Sequence, residues 1–431
     1  MPVFLDNLLT AQLFVSVHVI IIVVHVILVT VAYSTYAERK ISAWIHDRIG
    51  PNRVGPIGLL QPLADGVKLM FKEDYAPRGV DKALFTLAPI AIIIPALIGW
   101  AIIPWGGYWD LPTIPLPFGM GTIEGAQVLV AGADINVGVI YLMAIASLGV
   151  YGVTLGGWSS NNKYSFFGGL RASAGMISYE IPMGLALLCV LLLAGTVSPM
   201  GIIGHQIDHG WMVLSQPLVC LLFYICVLAE SNRAPFDNAE AEQELVGGYH
   251  TEYSSQRFAL FFLAEYAHIV TGSAFFVLLF FGGFHIPFVT LTHVESTGLL
   301  AMLTKFAVFY GKTLFIIFLT MWVRWTIPRI RWDQVMKLAW NGLIPIGIAA
   351  LIMTSVLHYL EWTSLLATLL ANVLLAFCVI VLQRALPRAK MNRRVELAGS
   401  RFNPLEQGSD GMSQAPSSAT GQRSQQLVTT R

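Results

Sequence analysis

The stretch LAESNRAPFDNAEAEQELVGGYHTEY, residues 228–253, sets Glu230, Asp237, Glu240, Glu242, Glu244 and Glu252 against a single arginine, Arg233. Three more carboxylates, Glu38, Glu180 and Glu265, stand at the end of or within long apolar runs. An ionised carboxylate is costly in hydrocarbon, so such residues usually line polar interiors and serve ion or proton movement. Burial and like-charged neighbours both raise carboxylate pKa values, which lets these groups take up and release protons near neutral pH. The plain alternative for either intramembrane glutamate is a permanent partner, Lys312 or a tyrosine hydroxyl. Lys305 and Lys312 share one face of their span, and Lys312, the deeper, is the expected counter-charge to the acids. His268 falls three residues after Glu265 and shares its face, in position to relay a proton. An isolated intramembrane histidine is as often a satisfied core residue, the reading that suits His18 and His25.

Such acids need an apolar scaffold, and the composition supplies one. The 431 residues are 55% hydrophobic and only 12% charged, against roughly 25% charged in soluble domains, and the mean hydropathy is +0.66. Runs of about 20 apolar residues, enough to cross ~30 Å of hydrocarbon, recur at 13–35, 83–103, 137–157, 174–196, 214–231, 258–283, 303–325, 337–358 and 363–383. The expected fold is therefore an all-α, polytopic transmembrane bundle of about nine helices. Counted from the spans, Glu180 and Glu265 share a level on the order of 10 Å deep. A net charge of +1 says nothing about nucleic acid, and no basic patch with interleaved aromatics points to it, so no nucleic acid is expected as a partner. The four cysteines fall inside apolar spans without C-x-x-C spacing, so they read as small buried hydrophobes rather than zinc or iron–sulfur ligands. The first run has no charged n-region or cleavage site before it and reads as a retained helix.

The 26 Lys and Arg test the topology. The first loop holds Arg39, Lys40, Arg48, Arg53, Lys68, Lys72, Arg78 and Lys82; alternate loops hold Lys163 and Arg171, then Arg233 and Arg257, then Arg324, Arg329, Arg331 and Lys337. The intervening loops hold none. By the positive-inside rule the N-terminus lies outside and the C-terminus in the cytoplasm. Residues 1–383 form the transmembrane domain. Residues 384–431 form a polar tail, too rich in Ser, Gln, Thr and Gly from about Gly399 to bury a core and expected to be disordered.

Two of the basic loops are more than linkers. From Leu59 on, Leu60, Leu63, Val67 and Met70 recur at helical spacing while Gln61, Asp65, Lys68 and Lys72 share another face, which predicts an amphipathic helix at the membrane surface. Gly50-Pro51 and Gly55-Pro56 turn the chain back before it. In the acidic loop, Asp237-Asn238-Ala239-Glu240 has capping-box spacing and predicts a short helix starting there, with Asp237, Glu240 and Glu244 near one face.

AERKISAWIHDRIGPNRVGPIGLLQPLADGVKL and LAESNRAPFDNAEAEQELVGGYHTEYSSQRFALFFLAEY resemble the two signature regions of the NuoH-type membrane-subunit family of proton-translocating NADH:quinone oxidoreductase, respiratory complex I. GGLRASAGMISYEI and WVRWTIPRIRWDQVMKLAW are similar as well, and the resemblance runs from about residue 13 to 358. It implies a subunit at the junction of membrane and peripheral arms that forms the quinone tunnel and is not catalytic alone. Arg39, Arg48, Asp65, Lys68 and Arg324 are then quinone-path contacts. Glu38, Glu180, Glu230, Asp237, Glu240, Glu242, Glu244, Glu252 and Glu265, with Lys312, are assigned to the proton path.

The resemblance also implies partners: the quinone-site and iron–sulfur subunits of the peripheral arm, small and antiporter-like membrane subunits, and membrane lipids. Quinone is the substrate, while FMN and the iron–sulfur clusters belong to other subunits, in line with the lack of a G-x-G-x-x-G fingerprint here. The chain departs from the family pattern in a long Pro/Gly-rich outer loop, 104–134, and in the extended tail. Two other readings compete: the equivalent subunit of a membrane-bound hydrogenase-type complex, and a stand-alone secondary transporter, whose internal repeats are not seen. A bacterial inner membrane is the expected location.

Overall fold

The computed structural model describes residues 2–115, 122–239 and 241–385. Helix follows helix: α1 (Pro2–Ile45), α2 (Gln61–Phe71), α3 (Lys82–Ile98), α4 (Gly138–Ser147), α5 (Gly149–Ser159), α6 (Lys163–Ala194), α7 (Pro199–His209), α8 (Met212–Ser215), α9 (Pro217–Glu230), α10 (Glu242–Leu245), α11 (Ser255–Phe280), α12 (Leu299–Thr326), α13 (Trp332–Lys337), α14 (Ile344–Tyr359) and α15 (Leu365–Ala385). Among the described residues eight helical segments are long and apolar enough to cross a membrane. The chain is a polytopic helical membrane protein.

The expected fifth span is the exception to the count of nine. Its helix α9 has 14 residues, about 21 Å at 1.5 Å per residue, and Pro217 separates it from α8. The fourth span also differs, because α6 begins at Lys163 rather than near 174. Asn162 caps it, its side-chain oxygen accepting from the Tyr164 amide at 3.0 Å, so the residues before 174 continue the helix. Gly195, at φ +64°, closes it in the left-handed conformation. Gly157 and Gly169 let α5 and α6 cross backbone to backbone: a Cβ on Gly157 would stand 2.7 Å from the Ser165 carbonyl. The bundle core around Phe223, Phe276, Phe280 and Tyr179 is formed by α1, α6, α9, α11 and α12.

The long loop 104–134 is not plain coil. Strands β1 (Tyr108–Leu111) and β4 (Ala126–Leu129) pair antiparallel, as do β2 (Ile114–Pro115) and β3 (Thr122–Ile123). Gln12 on α1 satisfies both the N–H and the C=O of Leu129, each at 3.0 Å, and so docks this loop. At the same end Lys312 differs from its expected place among the acids. Its Nζ donates to the carbonyls of Phe281 (2.6 Å), Gly283 (3.0 Å) and His285 (2.6 Å), which lie past the end of α11, where helix carbonyls lack partners. The counter-charge is thus spent on backbone, not on a carboxylate.

At the basic end, α2 is amphipathic as expected and none of its residues is buried. The Gly-Pro turns before it rely on glycine at position 58, whose φ is +86° and whose Cβ would stand 2.4 Å from the Pro51 carbonyl. The short helix of the acidic loop is α10, which starts at Glu242 rather than at Asp237. Asp237 gives its carboxylate to Arg329 instead of to a helix N-terminus. Asp237 and Glu244 therefore share no helix face, and Glu240 lies outside the described residues, as does the tail from 386 on. Residues 1–379 form one compact unit, and those from 380 on fall outside it. Cys189, Cys220 and Cys226 are buried as expected, but Cys378, on α15, is exposed.

Candidate functional site

The carboxylates at the basic end are gathered by arginines from other elements. Arg233, just after α9, meets Glu265 of α11 at 2.5 Å, and both side chains are about 5% exposed. Tyr249 donates to the other Glu265 oxygen at 2.6 Å. Tyr266, the next residue along α11, donates to Glu38 of α1 at 2.5 Å, while Arg324 of α12 pairs with the second Glu38 oxygen. The Arg233 guanidinium also lies over the Tyr266 ring, 4.7 Å from its centroid. Asp237 pairs with Arg329 at 2.5 Å, Glu244 with Arg171, and Glu252 accepts from Asn162 at 2.6 Å. Arg324, Glu38, Tyr266, Arg233, Glu265, Asp237 and Arg329 thus form one polar line across α1, α11, α12 and the acidic loop.

Glu180 and Glu230 stand apart from that line. Glu230 ends α9 and Glu180 faces it from α6, close enough for their charges to interact. Among the described residues neither has a lysine or arginine in ion-pair range. Ser147 reaches the Glu180 carboxyl. Glu230, His268 and Thr271 line a small cavity of about 30 Å3 walled by Leu142, Met143, Val227 and Phe275. Glu242 is exposed at the loop surface.

The expected quinone-path residues divide in the same manner. Arg39 of α1 and Lys68 both hold Asp65 of α2, at 2.7 and 3.2 Å, and Gln61 joins them at 3.2 Å, clasping the amphipathic helix to the first. Arg324 belongs to the Glu38 pair. Arg48 alone of the five lines a groove of about 810 Å3 between α1 and α12, with Tyr36, Lys40, Trp44, Ile57 and Phe318. Through Ala37, Ile41 and Phe318 it continues along α1 into a second space of about 340 Å3 beside Thr30, Tyr33, Tyr310 and Met321. Such volumes lie within the range of small-molecule sites. Ile57 holds φ +57°, rare for a β-branched residue, and its carbonyl accepts from the Tyr36 hydroxyl at 2.7 Å.

Two aspartates outside the spans are shifted in opposite directions. For Asp65, burial opposes ionisation, but the Lys68 hydrogen bond and the Arg39 charge outweigh it and hold the carboxyl below its usual value. For Asp237, burial prevails over Arg329, with the Glu265 charge adding to it, and the carboxyl is pushed up. Burial likewise pushes the His250 imidazole down, against the pull of the Glu265 charge. A carboxyl poised upward beside a chain of acids is a group that can exchange protons.

Residues 18–355 match the profile of the NADH dehydrogenase family. The chain belongs to that family. It is 47% identical to an NADH-quinone oxidoreductase H subunit of Cytophaga hutchinsonii over 76% of this chain and 92% of that one. It is 46% identical to the protein of the same name from Geobacter sulfurreducens, over 79% and 94%. "NADH-quinone oxidoreductase subunit 8" of Rhodothermus marinus is 46% identical, over 77% and 94%.

The NADH dehydrogenase match contains every residue of the polar line and both grooves, and it ends within α14. Sequence reasoning named the acids but not their partners. Arg233 was visible as the lone cation in the acidic stretch, and Tyr266 as the neighbour of Glu265, so adjacency in sequence was a usable signal for both. Arg329 and Arg171 gave none, because one comes from the segment after α12 and the other from α6, and each meets its acid only in the fold.

Proposed function

We propose that this chain is the membrane subunit of a proton-pumping NADH:quinone oxidoreductase, seated in a bacterial inner membrane where the membrane arm meets the peripheral arm. The observation that carries the reading is the polar line from Arg324 to Arg329, because one of its ends touches α1 and α12, the two walls of the groove. Quinone enters along that groove, with its tail against Tyr33, Tyr310 and Met321 and its headgroup moving toward Arg48. FMN and iron–sulfur clusters in partner subunits supply the electrons.

Two electrons added to a quinone leave negative charge on it until two protons follow, so charge changes at the groove's inner end and on the groups that supply those protons. Glu38 feels that change first, since it stands on α1 and its pair with Arg324 ties it to α12, the two walls of the groove. Arg233 carries it to Glu265 and Asp237, and the acids beyond, Glu180 and Glu230, alter their protonation in turn. The basic loops, with Glu242, Glu244 and Glu252, face the peripheral-arm subunits and the antiporter-like membrane subunits follow on the other side. A shift of one pKa unit in one acid corresponds to about 1.4 kcal/mol of coupling.

The test uses the whole complex. Glu38→Gln keeps the Tyr266 hydrogen bond and removes the charge, and it is expected to lower quinone-linked NADH oxidation and proton pumping together while NADH oxidation by an artificial acceptor is unchanged. Normal quinone-linked pumping in Glu38→Gln would sink the reading.

A further inference from the structure

We propose that His268 is the proton relay that joins the Glu180–Glu230 pair to the Arg233–Glu265 line, through water in the small cavity that His268 and Glu230 share. The inference rests on the coupling reading above and deepens it. The cavity, about 30 Å3, has room for one or two waters. Its wall carries the polar groups of Glu230, Ser231, His268 and Thr271 among apolar side chains. One oxygen of Glu230 and Nε2 of His268 are fully buried, and no protein group reaches them; the same holds for one oxygen of Glu180. Buried polar atoms in folded proteins are almost always paired, with ordered water where protein does not serve. A water between Glu230 and His268 completes both.

The imidazole is held where a relay must be. A Cβ on Gly149 would stand 3.1 Å from Nε2, so the ring fits against the break between α4 and α5 because that position lacks a side chain. Glu265 precedes His268 by one turn of α11, and its charge reaches the imidazole. The charged groups facing the ring are Glu265 on its own helix, Glu230 on α9 and Glu180 beyond it on α6. Helices α4 and α5 carry none, and the lysine of α3 lies at that helix's far start. Glu230 gives its carboxyl proton to the water as the water gives one of its own to Nε2. Glu230 is then ionised and His268 is an imidazolium beside the Glu265 carboxylate; return of the proton restores both.

The assembled complex, purified with its full subunit set, is compared as the parent, His268→Leu, Ala146→Val and Glu230→Gln. Protons translocated per second and the carboxyl stretch in an infrared difference spectrum are read for each. Ala146 lines the cavity, and valine there displaces water without removing a titratable group. His268→Leu is expected to slow translocation about a hundredfold, the scale of a lost acid–base group. Ala146→Val slows it too, and both variants lose the carboxyl band that shifts in D2O. Unchanged translocation and an unchanged band in Ala146→Val overturn the relay, even where His268→Leu does not assemble. Full translocation in His268→Leu with none in Glu230→Gln overturns the relay and leaves the coupling reading standing; full translocation in both removes the coupling reading as well.

Discussion

Glu38, Asp237, Glu244 and Glu265 each meet an arginine, whereas Glu180 and Glu230 lie within reach of each other's charge, and Glu230 lines a cavity that His268 shares. A guanidinium fixes a carboxylate's geometry through charge-assisted hydrogen bonds. The paired region is therefore a frame in which a charge added at one end is felt at the other. On the coupling reading proposed above, the unpaired region is where a proton is exchanged, since no cation holds the carboxylate in its ionised form. On that reading, the placement of the arginines divides a sensing region from a storing one.

The sharpest way to break that contrast is at Arg233. Its pair with Glu265 is about 5% exposed on both sides, and removing one partner of a buried pair leaves an uncompensated charge, at a cost of about 3–5 kcal/mol. Arg233→Met is expected to reduce the yield of assembled complex and its melting temperature in detergent. The double variant Arg233→Met with Glu265→Gln regains much of that stability but not the pumping. Equal melting temperatures for the single and double variants would deny that the pair is a buried frame.

Lys312 offers a smaller effect of another kind. Its three carbonyl contacts lie in the half of the bundle that lacks the acid line, and a hydrogen bond from a charged donor contributes about 1.5–3 kcal/mol. Lys312→Met is expected to loosen residues 281–285, read as faster amide exchange, while protons pumped per NADH oxidised stay constant. A fall in that ratio would return Lys312 to the proton path.

The two regions were unequally legible in the sequence. Glu180 and Glu265 announced themselves because a carboxylate in an apolar run has few explanations. The amphipathic pattern at Leu60, Leu63, Val67 and Met70 likewise became α2. What failed was local reading of polar residues with a choice of partner. Asp237-Asn238-Ala239-Glu240 has the spacing of a cap, but a guanidinium 92 residues away took the carboxylate. Lys312 has the depth to meet the acids, but the end of α11 offered carbonyls nearer by. Hydrophobic periodicity is set along one helix, whereas the partner of a charge is set by the packing of several, and one sequence carries the first signal far more strongly than the second.

The smallest effect is also the one whose sign separates two aspartates. Asp65 is partly exposed and clasped by Arg39 and Lys68, and its carboxyl sits below the usual value. A depressed folded-state pKa contributes stability that is present above the ordinary aspartate value of about 3.9 and is lost as pH falls through the folded value. Protection of α2 amides is therefore expected to weaken as the medium is acidified. Asp65→Asn removes that dependence at a cost of about 0.2–1 kcal/mol, the range of solvent-screened pairs. Asp237 has the opposite sign. Its folded-state carboxyl is raised, so the stability linked to it is present below the ordinary aspartate value and is lost as pH rises toward the folded one. Amide exchange measured against pH at α2 and at residues 231–239 separates the two: a common slope at both places would mean that Asp237, like Asp65, is governed by its arginine rather than by burial beside Glu265.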